Sequence, residues 1–247
     1  MPLTYLTSPE EYQRKEQLYL DVRRREGRVL TDDQLRELPN VTNPPELARE
    51  WRWRKRAFRR LDKYLNNRFP NKLIRILDLG CGNGWMSNLL AQNALLRSIT
   101  ALDLNEAELQ QAARVFRRYN LQFVYGNILK NGLPEQSFEV IVLAASVQYF
   151  PQLKELIPAL KKLLTANGEI HIIDSRFYAG PEEAAAAKKR TEAYYGKMGV
   201  PEMADFYHHH LWQEAQELGA EDLDAGMWAW MMRKWKVWAP FRWVRIV

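Results

Sequence analysis

Hydrophobic and polar positions follow two different rhythms along this chain, and the change comes near residue 73. From there to residue 174, short apolar runs alternate with amphipathic stretches. Residues 73–79, 98–104, 122–125, 139–144 and 170–174 are predicted strands. The fourth is apolar after its first residue, as a strand buried on both faces is. Residues 85–93, 106–119 and 153–164 are predicted helices, the last closed by the turn Thr165-Ala166-Asn167-Gly168. This rhythm predicts an α/β fold: a doubly wound, mostly parallel sheet with helices on both faces. Its ligand belongs outside the carboxyl ends of the strands.

The flanks are patterned otherwise. Residues 8–26 read as a charged helix capped by Ser8, with Pro9 and Glu11 in its first turn, and residues 31–45 are turn-rich. A long helix over residues 46–66 carries two apolar stripes, Leu47, Trp51, Phe58, Leu61, Leu65 and Trp53, Ala57, Tyr64. One is expected to pack on the main domain, the other on the N-terminal segment or a ligand. Beyond Asp174 two helices, 181–195 and 201–217, surround a turn at residues 196–199. They form an insertion after the fifth strand, a candidate lid over residues 176–217. Near the end, Trp228, Met231, Trp235 and Trp238 keep helical spacing until Ala239-Pro240, and residues 241–247 read as a closing strand. A membrane-surface helix is one reading of these aromatics; packing into the core is the expected one. Residues 1–45 are read as an N-terminal helical extension and 46–247 as the main domain.

Composition narrows the classes. The 247 residues are 47% hydrophobic, yet no segment approaches the roughly 20 apolar residues of a membrane span. The charged start resembles no signal peptide. Cys81 is the single cysteine, which excludes an internal disulfide and a multi-cysteine metal site. A cytoplasmic monomer or homodimer without a metal is expected. The net charge of +6 is uneven: residues 49–63 hold eight basic residues against two acidic ones, interleaved with Trp51, Trp53 and Phe58. A solvated helix face is the expected reading; a nucleic-acid or anionic-ligand surface is the alternative.

The sharpest chemical signal is Asp78-Leu79-Gly80-Cys81-Gly82-Asn83-Gly84, where a strand turns abruptly toward a helix. Glycines there permit positive φ and close approach of backbone to ligand. A dinucleotide site needs a third glycine where this chain has Trp85 or Ser87, so G-x-G-x-x-G fails in both registers. The D-x-G-x-G-x-G arrangement resembles the first motif of class I S-adenosylmethionine-dependent methyltransferases. Asp103-Leu104 follows at the end of the second strand. Gly126-Asn127-Ile128, Leu133-Pro134 and Ser137-Phe138-Glu139 resemble the family's next run, with Asn127 and Glu139 replacing aspartates. Residues 164–168 resemble the turn before the fifth strand. The resemblance is collinear over residues 70–175. It implies a seven-stranded sheet and S-adenosylmethionine as cofactor. It also implies a binding set of Asp78, Gly80, Cys81, Gly82, Gly84, Asp103, Leu104, Asn127, Ile128 and Ala144. Asp103 would accept from the ribose hydroxyls, Asn127 from the adenine amine, and Leu104 and Ile128 would sandwich the ring.

The acceptor is less legible. The segment after the fourth strand reads Ala144-Ala145-Ser146-Val147-Gln148-Tyr149-Phe150 and lacks the tetrad of base-amine methyltransferases. Cys81 sits in the cofactor turn, so the nucleophile of cytosine-C5 enzymes is missing. Tyr149, His208 and His209 are the candidate catalytic or substrate-contacting residues. His171, mid-strand, is read as structural. Methyl transfer to an oxygen or nitrogen of a small molecule is the expected activity. The alternatives are an RNA methyltransferase using the basic helix 49–63 and a non-catalytic cofactor-binding subunit with the aromatic tail as interface.

Overall fold

A computed structural model describes residues 3–93, 97–130, 132–235, 237–238 and 241–247. The chain begins with a two-residue strand, β1 (Thr4–Tyr5), and helices α1 (Gln13–Arg25), α2 (Asp32–Glu37) and α3 (Pro45–Arg68). Next come β2 (Ile74–Leu79), α4 (Trp85–Leu90), β3 (Arg97–Asp103), α5 (Glu106–Val115), β4 (Leu121–Tyr125), β5 (Phe138–Ala144), α6 (Leu153–Leu163) and β6 (Leu164–Ile173). Helices α7 (Pro181–Lys197) and α8 (Trp212–Glu217), strand β7 (Glu221–Asp222), α9 (Met227–Lys234) and β8 (Val244–Ile246) complete it.

Among the described residues the sheet has eight strands, ordered β1-β4-β3-β2-β5-β6-β8-β7. Every pair from β1 to β6 is parallel, while β8 runs antiparallel to β6 and to β7. The residue pattern gives five strands and a closing one and misses β1 and β7, which have two residues each, too few to show a period; the seven that the resemblance implies is one short of the eight. Thr4 and Tyr5 pair with Val124 and Tyr125, so the N-terminal segment belongs to the sheet and is not purely helical.

Alternate residues of each strand feed opposite cores, as the period of two requires. Ile76, Ile99, Ala101, Phe123 and Val142 pack under α3, α4 and α5. Leu77, Leu79, Leu102, Ile141 and Ile172 pack under α6, whose Leu153, Leu156, Ile157 and Leu160 are buried. On α3, Trp51 meets the ring of Trp85 edge-on at 5.3 Å. On its second stripe Tyr64 packs against His171 of β6 and Trp243, while Trp53 lines the cavity over the sheet. His171 is structural, accepting from Trp243 Nε1 at 3.1 Å and lying 3.2 Å from the Glu169 carboxylate.

Several expected elements differ. Ser8 makes no side-chain cap; Pro9–Glu11 is a 3-10 turn before α1. The turn-rich stretch contains α2, opened by the reciprocal Thr31–Gln34 capping box. The expected helix over 201–217 is broken. Pro201–Phe206 is a 3-10 turn, and α8 starts only at Trp212. The chain between them is extended because its backbone bonds elsewhere: His208 N to Gln148 O, Tyr178 N to His210 O, and Trp212 N to Tyr178 O. The aromatic tail also departs from expectation. Trp243 is buried, but Trp228, Trp230 and Trp235 on and after α9 are exposed. The predicted break at Ala239-Pro240 lies outside the described residues.

Candidate active site

The strand β2 delivers its last residues to the centre of the sheet, where the chain reverses. Gly80, Gly82 and Gly84 adopt φ of 73°, 52° and 72°. At Gly80 a Cβ would stand 2.4 Å from Ser146 Cβ, and at Gly84 one would stand 2.6 Å from the Phe123 ring. The turn therefore requires glycine twice over, for conformation and for space.

Two carboxylates fasten it. Asp103 Oδ2 accepts from Gly82 N at 2.7 Å and Oδ1 from Asn105 N at 2.9 Å. Asp78 is buried beneath the turn, where its Oδ2 accepts from Ser87 Oγ at 2.5 Å. Burial pushes the Asp78 carboxyl up to about 7, and its Oδ1 has no partner among the described residues. Glu108 on α5 repeats this: burial raises it to about 7, and its buried Oε2 is unpartnered. A Cβ at Gly82 would lie 3.2 Å from that oxygen, so Glu108 underlies the turn.

One cavity of about 1980 Å³ runs over this end of the sheet. Gly80, Cys81, Gly82, Asp103, Leu104, Asn127, Ile128 and Ala144 line it. Asp78 and Gly84 do not: the first is below the turn and the second faces Phe123 and Ala112. Asn127 Nδ2 donates to the Tyr12 hydroxyl at 3.0 Å, and its Oδ1 accepts from Leu129 N at 2.9 Å, leaving one lone pair of that oxygen free. Burial pushes the Cys81 thiol up, so it is a packed wall and not a nucleophile.

Beyond Ala144 the cavity continues toward α1, α3 and α7. Tyr149 lines it, with its ring edge-on to Tyr19 and Tyr207 at 5.9 and 5.8 Å. Among the described residues nothing hydrogen-bonds to its hydroxyl. Arg49, Arg54, Arg176 and Arg190 also line the cavity. Arg54 and Arg176 are paired with Glu50 and Glu183, whereas Arg49 and Arg190 have no ion pair among the described residues. His208 and His209 do not line it, contrary to expectation. The extended chain turns the His209 ring behind Tyr178 and Tyr207, and its Nε2 lies 3.0 Å from Thr191 Oγ1.

The residue that sequence reasoning missed is Asp174. It follows β6 with φ of 54°, a left-handed conformation uncommon outside glycine. It lines the cavity beside Arg54, and no described group hydrogen-bonds or ion-pairs with its carboxylate. Burial raises this group to about 6. Nothing in the local pattern marks it except its place after the fifth strand of the rhythm.

A sequence model described as a methyltransferase domain matches residues 70–223. This chain belongs to the methyltransferase domain family. The chain is similar to trans-aconitate 2-methyltransferase of Escherichia coli, 30% identical over 146 residues, covering 59% of this chain and 56% of that protein. It is also similar to malonyl-[acyl-carrier protein] O-methyltransferase of Priestia megaterium, 29% identical over 106 residues, covering 43% of this chain and 38% of that protein. The chain thus spans less than two thirds of the curated relatives it matches. Among solved structures, the fold is shared with a methyltransferase from a complex with a Haloferax volcanii methyltransferase activator. Identity is 14% and the TM-score 0.56, with 91% of this chain and 95% of that one covered.

The methyltransferase domain's cofactor is S-adenosylmethionine, and the residues present suit it. The glycine cradle, where a Cβ at Gly80 would stand 2.4 Å from Ser146 Cβ, opens onto the cavity beside Asp103 and brings backbone close to a bound ligand. Leu104 and Ile128 supply apolar walls suited to a ring. Among the described residues no cluster could hold a metal, and no helix is long and apolar enough to cross a membrane.

Proposed function

We propose that this chain transfers a methyl group from S-adenosylmethionine to an oxygen or nitrogen of a small, negatively charged acceptor, with Asp174 as the base. The observation that carries this reading is the single cavity joining the glycine turn to a pocket that ends on an unpaired carboxylate. Strands lie about 4.8 Å apart, so the ends of β2, β5 and β6 set Gly80, Ala144 and Asp174 in one row, with Asp174 about 10 Å from the turn. On this reading the cofactor lies over β4, β3 and β2, and the acceptor over β5 and β6.

The bound cofactor supplies an electrophilic methyl on a sulfonium, which leaves as S-adenosylhomocysteine when the new bond forms. The residues of this chain do the rest. Asp103 and the turn fix the donor; Tyr149 offers its hydroxyl to orient the acceptor; Asp174 takes the acceptor proton as the methyl bond forms. A carboxylate with its pKa near 6 is ionised at neutral pH yet remains a usable base. Arg49 and Arg190 suit an anionic acceptor. Trans-aconitate and the malonyl group, after which two relatives are named, both carry carboxylates, which supports an anionic acceptor. Residues 176–217, which include α7, would close over the acceptor as a lid.

The test begins with calorimetric titration of S-adenosylmethionine into the wild type and Asp103→Ala, then labelled methyl transfer to a panel of hydroxy and amino acids. Micromolar binding lost in the variant, and transfer reduced about 100-fold or more by Asp174→Asn at unchanged cofactor affinity, support the reading. Full activity in Asp174→Asn removes the base, and absence of cofactor binding removes the reading altogether.

A further inference from the structure

Helix α9 is mounted with its apolar side outward. Ala229 is buried, and Arg233 turns inward to lie 3.7 Å from both Asp222 and Asp224. At 100° per residue, positions 227, 228, 230, 231 and 235 fall within about 160° on the opposite side. There Met227, Trp228, Trp230 and Trp235 are 78, 65, 57 and 60% exposed. A helix of a water-facing surface shows the reverse arrangement.

The neighbouring surface is cationic. Arg52, Arg56, Arg59 and Lys63 form one exposed stripe along α3 at helical spacing. None of the four has a carboxylate partner among the described residues. Arg56 Nη1 donates to the Val237 carbonyl at 2.5 Å, and the Arg60 guanidinium stacks 3.8 Å from the Trp238 ring centre. The first contact ties the stripe, and the second ties its neighbour Arg60, itself paired with Asp224, to residues 237 and 238, whose backbone N–H groups donate to Met232 O on α9. Lys234 adds a further cation, 4.8 Å from the Trp230 ring centre.

We infer that this face docks on the surface of an anionic lipid bilayer, with the indoles at the headgroup boundary and the α3 cations against lipid phosphates. Tryptophan is the side chain that best suits that boundary, being apolar in body and a donor at one edge. Cations beside it are drawn to the negative surface potential. The cores of protein interfaces are poor in charge, whereas this patch adjoins unneutralised cations along its length. Single-stranded RNA would want stacking planes throughout, and Met227 and Met231 provide none. Trp53 and Phe241 line both the catalytic cavity and the groove that contains Trp238, so the docking face adjoins the acceptor end.

The full chain is tested by co-sedimentation with phosphatidylcholine vesicles, with and without phosphatidylglycerol. Expected are binding that requires the anionic lipid and quenching of tryptophan emission by brominated acyl chains. Replacing Trp228, Trp230 and Trp235 together by Ser should weaken binding about tenfold or more. Arg52→Glu with Arg59→Glu should do the same, and both variants should keep wild-type affinity for S-adenosylmethionine, which reports folding. Failure of the wild type to bind anionic vesicles overturns the inference. So does equal binding by the variants. Preferential binding of polyuridylate at this face, or self-association that the serine variant abolishes, replaces it with an RNA or a second copy of the chain.

Discussion

The two ends of the cavity are built by different means. The cofactor end is backbone geometry: three glycines at positive φ, with peptide N–H groups of the turn held by Asp103 and by the Leu102 carbonyl. The end proposed for the acceptor is side chains drawn from α1, α3, the segment after β5, and α7. Tyrosine rings meet edge-on there, and arginines stand beside carboxylates. Backbone geometry tolerates almost no substitution, whereas a wall of side chains can be exchanged one residue at a time. The rigid end therefore suits a cofactor shared by many proteins, and the variable end suits a particular acceptor.

The largest expected effect breaks the rigid end. Gly80→Ala places a methyl against Ser146 and should weaken S-adenosylmethionine binding about 100-fold or more, read by calorimetry; near-normal affinity would show that the turn has slack. Next, Glu108→Gln removes a buried carboxylate whose pKa is about 7 in the folded chain and near 4.5 when unfolded. Between those values the folded chain binds the extra proton, so wild-type stability falls as pH rises from about 4.5 to about 7. The variant escapes that loss and should be about 2 kcal/mol more stable at pH 8 in denaturant melts without cofactor, with the gap closing by pH 4.5.

The remaining two sharpen the contrast at the acceptor end. Tyr149→Phe should lower kcat about tenfold and leave cofactor affinity intact. Loss of cofactor affinity would mean that the ring supports the turn. Arg190→Ala should raise KM for an anionic acceptor about fivefold with kcat little changed, and have no such effect on a neutral acceptor.

This contrast also governs what could be read from sequence. The glycine turn, Asp103 and the succession of strands and helices over residues 70–175 are legible because each is a local demand: a strand end, a tight reversal, an adjacent helix. Asp174, Glu108 and Ser87 are not. Their meaning comes from which distant groups surround them, and Asp174 reads locally as the last residue of a strand. The histidine run misleads for the same reason. Periodicity permits a helix there, but the carbonyls of Gln148 and Tyr178 capture backbone N–H groups at its two ends and keep the chain extended. The tail shows a further limit: helical spacing of Trp228, Met231 and Trp235 gives an amphipathic helix but not which side faces water.

The N-terminal segment that begins with β1 is pinned over the cofactor end by polar contacts at the surface. The Tyr5 hydroxyl donates to Glu106, Ala107 N donates to Glu16, and ion pairs join Lys130 to Glu11 and Arg114 to Asp32. Such bonds are individually weak and yield to dissolved ions. Ionic strength acts on these surface contacts and not on the β1–β4 pairing or on the buried Leu35 and Leu38, so salt would loosen the strap without detaching it. Where departure of the spent donor from beneath it limits turnover, moderate salt should speed the steady state while leaving the first, single-turnover burst unchanged.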